Sequence, residues 1–73
     1  MSSALDYYNQ TSVGDRKTFN ALNIQENNLI EAQRIVNEFD ELERQGLIKI
    51  QVRHKETETG KHYVDLVMFE RLR

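Results

Sequence analysis

The sequence predicts one α+β domain over residues 1–73, in which three helices are followed by a C-terminal antiparallel β-hairpin. Two observations predict this fold. Apolar residues between Asn28 and Gln45 recur at spacings of three and four, the pattern of one buried helical face. After Gly46 the apolar period changes to two, the pattern of a strand with one buried side. A chain of 73 residues has room for one hydrophobic core.

The first two helices are predicted to be short. Residues 3–10 follow a pair of serines, which predicts a helix with a serine N-cap. Residues 11–14 are expected to form a turn. Asp15 can then cap a second helix that places Phe19 and Leu22 on its inner side, three residues apart.

The third helix carries the strongest periodic signal of the chain. Its buried stripe is predicted to consist of Leu29, Ala32, Ile35, Val36, Phe39 and Leu42. Asn28 and Glu31 have the spacing of a capping box, and Asp40 and Arg44 the spacing of an ion pair within the helix. Gly46 stands where a left-handed residue ends many helices.

The hairpin register is predicted by keeping the apolar residues on one side. The buried side should hold Ile48, Ile50, Val52, Val64, Leu66 and Met68. A three-residue loop over 58–60, with Gly60 in the left-handed region, satisfies that requirement and places Arg53 opposite Asp65. The other side then carries an apolar patch of Tyr63, Val67 and Phe69. Either the N-terminal segment covers this patch, or a partner or second copy does.

The order of these elements resembles that of the winged helix-turn-helix superfamily. The segment from Phe39 to Ile48, F-D-E-L-E-R-Q-G-L-I, looks like the junction where a recognition helix ends and the wing begins. The resemblance covers residues 15–69 and implies a small DNA-associated regulator of transcription. In that superfamily the third helix approaches base edges and the hairpin contacts backbone phosphate.

This resemblance implies two groups of residues that bind double-stranded DNA. The residues best placed to reach bases are Gln25, Asn27, Asn28 and Arg34, whose side-chain types are suited to reading base edges. The hairpin contributes Lys49, Arg53, Lys55 and Lys61 as phosphate contacts. From Gly46 to Tyr63 the formal charge is +2.

The charge of the third helix supports a different function. From Glu26 to Gln45 there are six acidic and two basic residues, a net charge of −4, which opposes close approach to phosphates. The alternative is a protein-binding adaptor or inhibitor that uses this acidic helix and the patch of Tyr63, Val67 and Phe69. A continuous basic stripe that includes Arg16 and Lys17 would favour DNA. A basic hairpin isolated from an acidic helix would favour a protein partner.

Composition argues against enzymatic chemistry. The chain has no cysteine, which excludes disulfides, thiolate catalysis and cysteine zinc sites, and it contains no phosphate-binding loop or catalytic triad pattern. His54 and His62, with Glu56, are the one candidate set of metal ligands, and we expect no metal there because no fourth ligand is evident. We therefore expect no catalytic residues, no cofactor and no small-molecule substrate. No apolar run approaches the roughly 20 residues of a membrane span, and the expected location is the cytoplasm.

Overall fold

Two helices pack on one side of a three-stranded antiparallel sheet. The computed structural model describes residues 3–21 and 26–73. The elements are α1 (Ala4–Asn9), β1 (Arg16–Asn20), α2 (Glu26–Arg44), β2 (Ile48–Lys55) and β3 (Val64–Arg71). The strand order is β1-β3-β2, so β3 is the central strand. The fold is α+β, but the predicted arrangement of three helices followed by a hairpin is wrong. No helix in the described ranges is long and apolar enough to cross a membrane.

Strand β1 occupies the position where a second short helix was predicted. Phe19 is buried and lies opposite Val67 of β3, while the neighbouring Thr18 and Asn20 are exposed. The spacing of Phe19 and Leu22 suggested a helix, and Leu22 itself lies outside the described residues. The strand forms because β3 offers an unpaired edge of backbone donors and acceptors, a long-range partner that a local pattern does not reveal.

Helix α2 confirms the predicted apolar stripe. Every member of the stripe is buried except Ile35, which is half-buried. The Phe39 ring lies at the centre of the core, 5.0 Å from the ring of Phe69 and 5.8 Å from that of Phe19. Tyr7 of α1 completes this aromatic cluster, 5.9 Å from Phe39.

At the N-terminus of α2 the prediction is wrong, whereas at its C-terminus the prediction is confirmed. The helix begins at Glu26, so Asn28 is an internal residue and the predicted capping box is wrong. The C-terminus is confirmed: Gly46 has φ +78°, and the N–H of Leu47 donates to the carbonyl of Leu42 at 3.1 Å.

The predicted ion pair within α2 is also wrong. Arg44 pairs with Glu41 on the same helix, and Asp40 pairs with Arg53 on β2. The side chain of Asp40 therefore joins the helix to the sheet. A spacing of four residues does not reveal this pair, because one partner lies on another element.

Helix α1 confirms its predicted serine cap. Ser3 and Asp6 form a reciprocal capping box. The N–H of Ala4 donates to the Glu38 carboxylate of α2 at 2.9 Å, and Ala4 is fully buried. The guanidinium of Arg71 lies 4.1 Å from the centre of the Tyr8 ring. These contacts fix α1 against α2 and the end of β3.

The hairpin register differs from the prediction, and each strand contains one extra residue. Val52 lies opposite Met68 and Arg53 opposite Val67, not opposite Asp65. The register shifts between Ile50 and Val52 and again between His54 and Lys55. These shifts leave Gln51 of β2 and Asp65 of β3 without a cross-strand partner, as in β-bulges.

Each bulge exchanges the two sides of the strand beyond it. Ile48 and Ile50 therefore face the helices, whereas Val52 faces away, 42% exposed. The loop spans residues 56–63 and is longer than the predicted three residues. Gly60 is left-handed as predicted, with φ +76°.

Candidate protein-interaction surface

The residues predicted to touch DNA bases do not form one exposed basic site. Gln25 lies outside the described residues. Asn27 is exposed and Asn28 is half-buried on the first turn of α2. Arg34 is exposed, but its guanidinium pairs with Glu31 at 3.1 Å.

Acidic residues also lie among the basic residues of the hairpin. Arg53 is held by Asp40, and Glu70 lies between Arg16 and Lys49 across the sheet, 3.7 Å from the Arg16 guanidinium. Lys49, Lys55 and Lys61 are exposed, yet no continuous basic stripe links them to Arg16 and Lys17 over the described part of the chain.

The predicted patch of Tyr63, Val67 and Phe69 is not an exposed surface. Val67 and Phe69 have no exposed area, and Tyr63 is half-buried. Phe69 packs on Phe39 of α2, and Phe19 of the N-terminal segment lies opposite Val67, so helix and N-terminal segment cover these residues together. The bulge at Asp65 is the physical reason, because it turns the following odd-numbered residues toward the core.

Two of the three candidate metal ligands, His54 and Glu56, make contacts with other residues. Within the ranges 3–21 and 26–73, no group of three His, Asp or Glu side chains could hold a metal ion. Nδ1 of His54 lies 2.7 Å from a carboxylate oxygen of Asp65. The Glu56 carboxylate, only 2% exposed, turns into its own loop and accepts the hydroxyl and N–H of Thr59 and the N–H of Tyr63.

A shallow groove between α1 and the end of α2 offers no clear binding chemistry. Leu5 and Leu47 form its apolar lining, and Glu38 and Glu41 its carboxylates. Glu38 accepts the N–H of Ala4, and Glu41 pairs with Arg44. Both carboxylates therefore already have partners within the chain.

The feature that sequence reasoning missed is the side of the sheet opposite the helices, which we call the open face. The strand register places three rows of residues across it: Arg16–Glu70–Lys49, Thr18–Met68–Val52 and Asn20–Leu66–His54. The bulge residues Gln51 and Asp65 join this face, because Gln51 bonds to Glu70 at 3.4 Å and Asp65 contacts His54. No helix in the described ranges covers it.

The open face has an apolar centre. Met68 lies in the middle row of the central strand, between Thr18 and Val52. Met68 and Leu66 are half-buried, and neither they nor Val52 belong to the core cluster beneath the helices. The sequence signal for this surface is the apolar run from Leu66 to Phe69, which indicates a strand with apolar residues on both sides.

The two ends of the open face carry opposite charge. Arg16 and Lys49 with Glu70 give one end a formal charge of +1, while Asp65 gives the other −1 with His54 counted neutral. The face as a whole is therefore neutral. A surface of this kind suits a partner with matching apolar and charged regions.

No protein-family model matches this chain, and no curated protein or solved structure is significantly similar to it. The resemblance to the winged helix-turn-helix superfamily therefore stays a prediction that none of these comparisons tests.

Proposed function

We propose that this chain is a small non-enzymatic protein-binding module that contacts its partner through the open face of its sheet. The observation that carries the proposal is the apolar centre of Val52, Leu66 and Met68, which lies between two oppositely charged ends. The helices bury the other side of the same sheet, so the open face is the side available for binding.

The chemistry of the open face favours protein over nucleic acid. A sheet that binds single strands usually stacks bases on several aromatic side chains, whereas the open face carries no Phe, Tyr or Trp, and its one imidazole, His54, is bonded to Asp65. A duplex requires a basic surface, whereas this face is neutral and Glu70 separates its two basic side chains. The exposed acidic residues of α2 lie on the opposite side of the molecule, and that side is not suited to binding phosphate either.

The strands hold the binding side chains in fixed positions. Strand β3 is paired along both edges, and it presents Leu66, Met68 and Glu70 from the middle of the sheet. A site on rigid strands loses little conformational entropy on binding. Met68 lies at the centre of the surface, where the energy of an interface is usually concentrated.

Site-specific photo-cross-linking in the native host tests this proposal. A photoreactive amino acid at Val52 should trap a defined protein, and Met68→Lys in the same chain should abolish that cross-link. The matched control places the photoreactive residue at Ile30, an exposed apolar position on α2. Cross-linking at Val52 that is unaffected by Met68→Lys, or equal at Ile30, would contradict the proposal. Loss of the cross-linked product after nuclease treatment would instead favour the hypothesis of a DNA-associated protein.

A further inference from the structure

We infer that the Glu43 carboxylate closes the outer edge of β2 against pairing with the same edge of a second copy of this chain. Strand β2 lies at one edge of the sheet, in the order β1-β3-β2, and spans 8 residues. An outer strand of this length presents N–H and C=O groups that a strand of another chain can bind. The edge is separate from the open face, so its closure is independent of the proposed function.

The backbone N–H of Ile50 points to this outer edge. The N–H of Leu72 donates to the carbonyl of Leu47 at 2.9 Å, which shows that the backbone groups of Leu47 point toward β3. The pairing of β2 with β3 then runs without a shift from Ile48 to Ile50. Because adjacent residues of an antiparallel strand point their backbone groups in opposite directions, those of Ile50 point away from β3.

The Glu43 side chain of α2 already occupies this donor. Its carboxylate accepts the N–H of Ile50 at 2.7 Å, in the place where the carbonyl of an added strand would accept it. A hydrogen bond to a carboxylate is stronger than one to a neutral carbonyl. A strand that pairs with β2 at Ile50 would therefore exchange a stronger bond for a weaker one.

Other features protect the rest of the β2 edge. The bulge at Gln51 interrupts the regular ladder, and Arg53 and Lys55 place positive charge on the strand beyond it. The segment Ile48–Ile50 lies before the bulge, and its one charged residue, Lys49, belongs to the open face. The carboxylate of α2 therefore closes the part of the edge that neither the bulge nor those basic residues protect.

Hydrogen exchange measured by NMR at low protein concentration tests the contact. In Glu43→Ala the Ile50 amide should exchange about ten- to a hundredfold faster than in the wild type, because it loses a charged acceptor. Glu43→Gln keeps an acceptor oxygen and should retain most of the protection. Glu41→Ala is the matched control, since Glu41 is exposed on the same helix and pairs with Arg44. Equal exchange in the wild type and in Glu43→Ala would overturn the inference.

Analytical ultracentrifugation from about 50 µM to about 1 mM tests the consequence, over the range where exposed strand edges associate. Glu43→Ala should form larger species at concentrations where the wild type and Glu43→Gln do not. The Ile50 amide should regain protection in those species, because a second copy then pairs with it.

Gln33→Ala separates pairing at the edge from partial unfolding. It removes two hydrogen bonds to the backbone of Val64 and leaves the contact between Glu43 and Ile50 in place. It should therefore associate less than Glu43→Ala does. Equal association of these two variants, or a Glu43→Ala chain that associates no more than the wild type, would show that the carboxylate does not close the edge.

Discussion

Among individual residues, Glu56 organises the hairpin loop through its carboxylate. Glu56 is the first residue after β2, and its backbone N–H donates to the carbonyl of Tyr63 across the loop at 2.8 Å. Its side chain turns back and accepts from Thr59 and Tyr63. The Thr59 hydroxyl, followed by the N–H groups of the loop, lowers the pKa of Glu56 below its ordinary value of 4.5.

This carboxylate makes part of the stability depend on pH. A lowered pKa in the folded state means that the contribution of Glu56 is complete above pH 4.5 and is lost as the pH falls through the folded-state value. We expect Glu56→Gln to destabilise the chain at pH 7, because the amide presents an N–H group to loop donors. The difference from wild type should shrink below pH 4.5.

Urea unfolding at pH 7 and pH 3 measures this difference. Glu58→Gln is the control, since Glu58 is an exposed carboxylate in the same loop. A difference between wild type and Glu56→Gln that stays constant with pH would show that the Glu56 carboxylate does not hold the loop.

The amide of Gln33 is a second residue whose role was hidden in the sequence. Its Nε2 donates to the carbonyl of Val64 at 2.8 Å, and its Oε1 accepts the N–H of Val64 at 3.2 Å. The side chain thus satisfies both backbone groups at the first residue of β3 and joins that strand to α2.

Removing this amide should destabilise the fold. We expect Gln33→Ala to cost about 1–3 kcal/mol of unfolding free energy, because two backbone groups of a buried residue lose their partner. Gln45→Ala is the control just beyond the C-terminus of α2, where the side chain is exposed and bonds to Glu41. Urea denaturation compares the two variants, and equal costs would contradict this role for Gln33.

The bulges are the decisive feature at the level of the secondary-structure elements. Without them, Ile48 and Val52 would lie on the same side of β2, as simple alternation requires. In the structure Ile48 is 1% exposed among the core residues, whereas Val52 is 42% exposed on the open face. The bulge at Gln51 separates the two residues.

A pair of identical substitutions tests the bulged register. Val52→Lys should change the unfolding free energy by less than about 1 kcal/mol, since the ammonium remains in water. Ile48→Lys should cost more than about 4 kcal/mol and prevent stable folding, because it buries an unpaired charge. Thermal melting makes the comparison. Similar effects of the two substitutions would refute the bulge.

The distribution of charge over the whole molecule determines what it can bind. Acidic residues predominate on the exposed side of α2, and the open face is neutral. Further exposed basic residues are dispersed along the hairpin. Arg34 and Arg53, both predicted DNA contacts, are neutralised by Glu31 and Asp40. The molecule therefore lacks the concentrated basic surface that duplex binding requires, over the residues described.

We expect no binding to duplex DNA tighter than about 100 µM at roughly 50 mM salt, where attraction to phosphate is still strong. Fluorescence anisotropy with mixed-sequence duplexes provides the measurement. A different result would support the hypothesis of a DNA-associated protein over that of a protein-binding module. In that case a duplex binds, and Lys55→Glu or Lys61→Glu weakens binding to every sequence and flattens its salt dependence. Asn37→Glu on α2 is the control for the added negative charge.

The elements whose signals are local can be predicted from the amino-acid sequence. The stripe of α2 follows from a spacing that one helix satisfies alone, and the ends at Ser3 and Gly46 follow from backbone groups within a few residues. The presence of a hairpin after Gly46 follows from the change of period. None of these features needs a distant partner.

Tertiary structure alone decided β1, the hairpin register and the open face. Strand β1 exists because β3 has a free edge, and the paired residues lie 46 to 54 positions apart in the sequence. The bulge at Asp65 is required because Val64 and Val67 of one strand are both buried, and the bulge at Gln51 because Ile50 packs on the core while Val52 faces away, which unbroken alternation cannot achieve. A binary pattern records that a residue is apolar but not which side of a strand it faces. For this reason Val67 and Phe69 became core, while Leu66 and Met68 became the surface proposed to bind a partner.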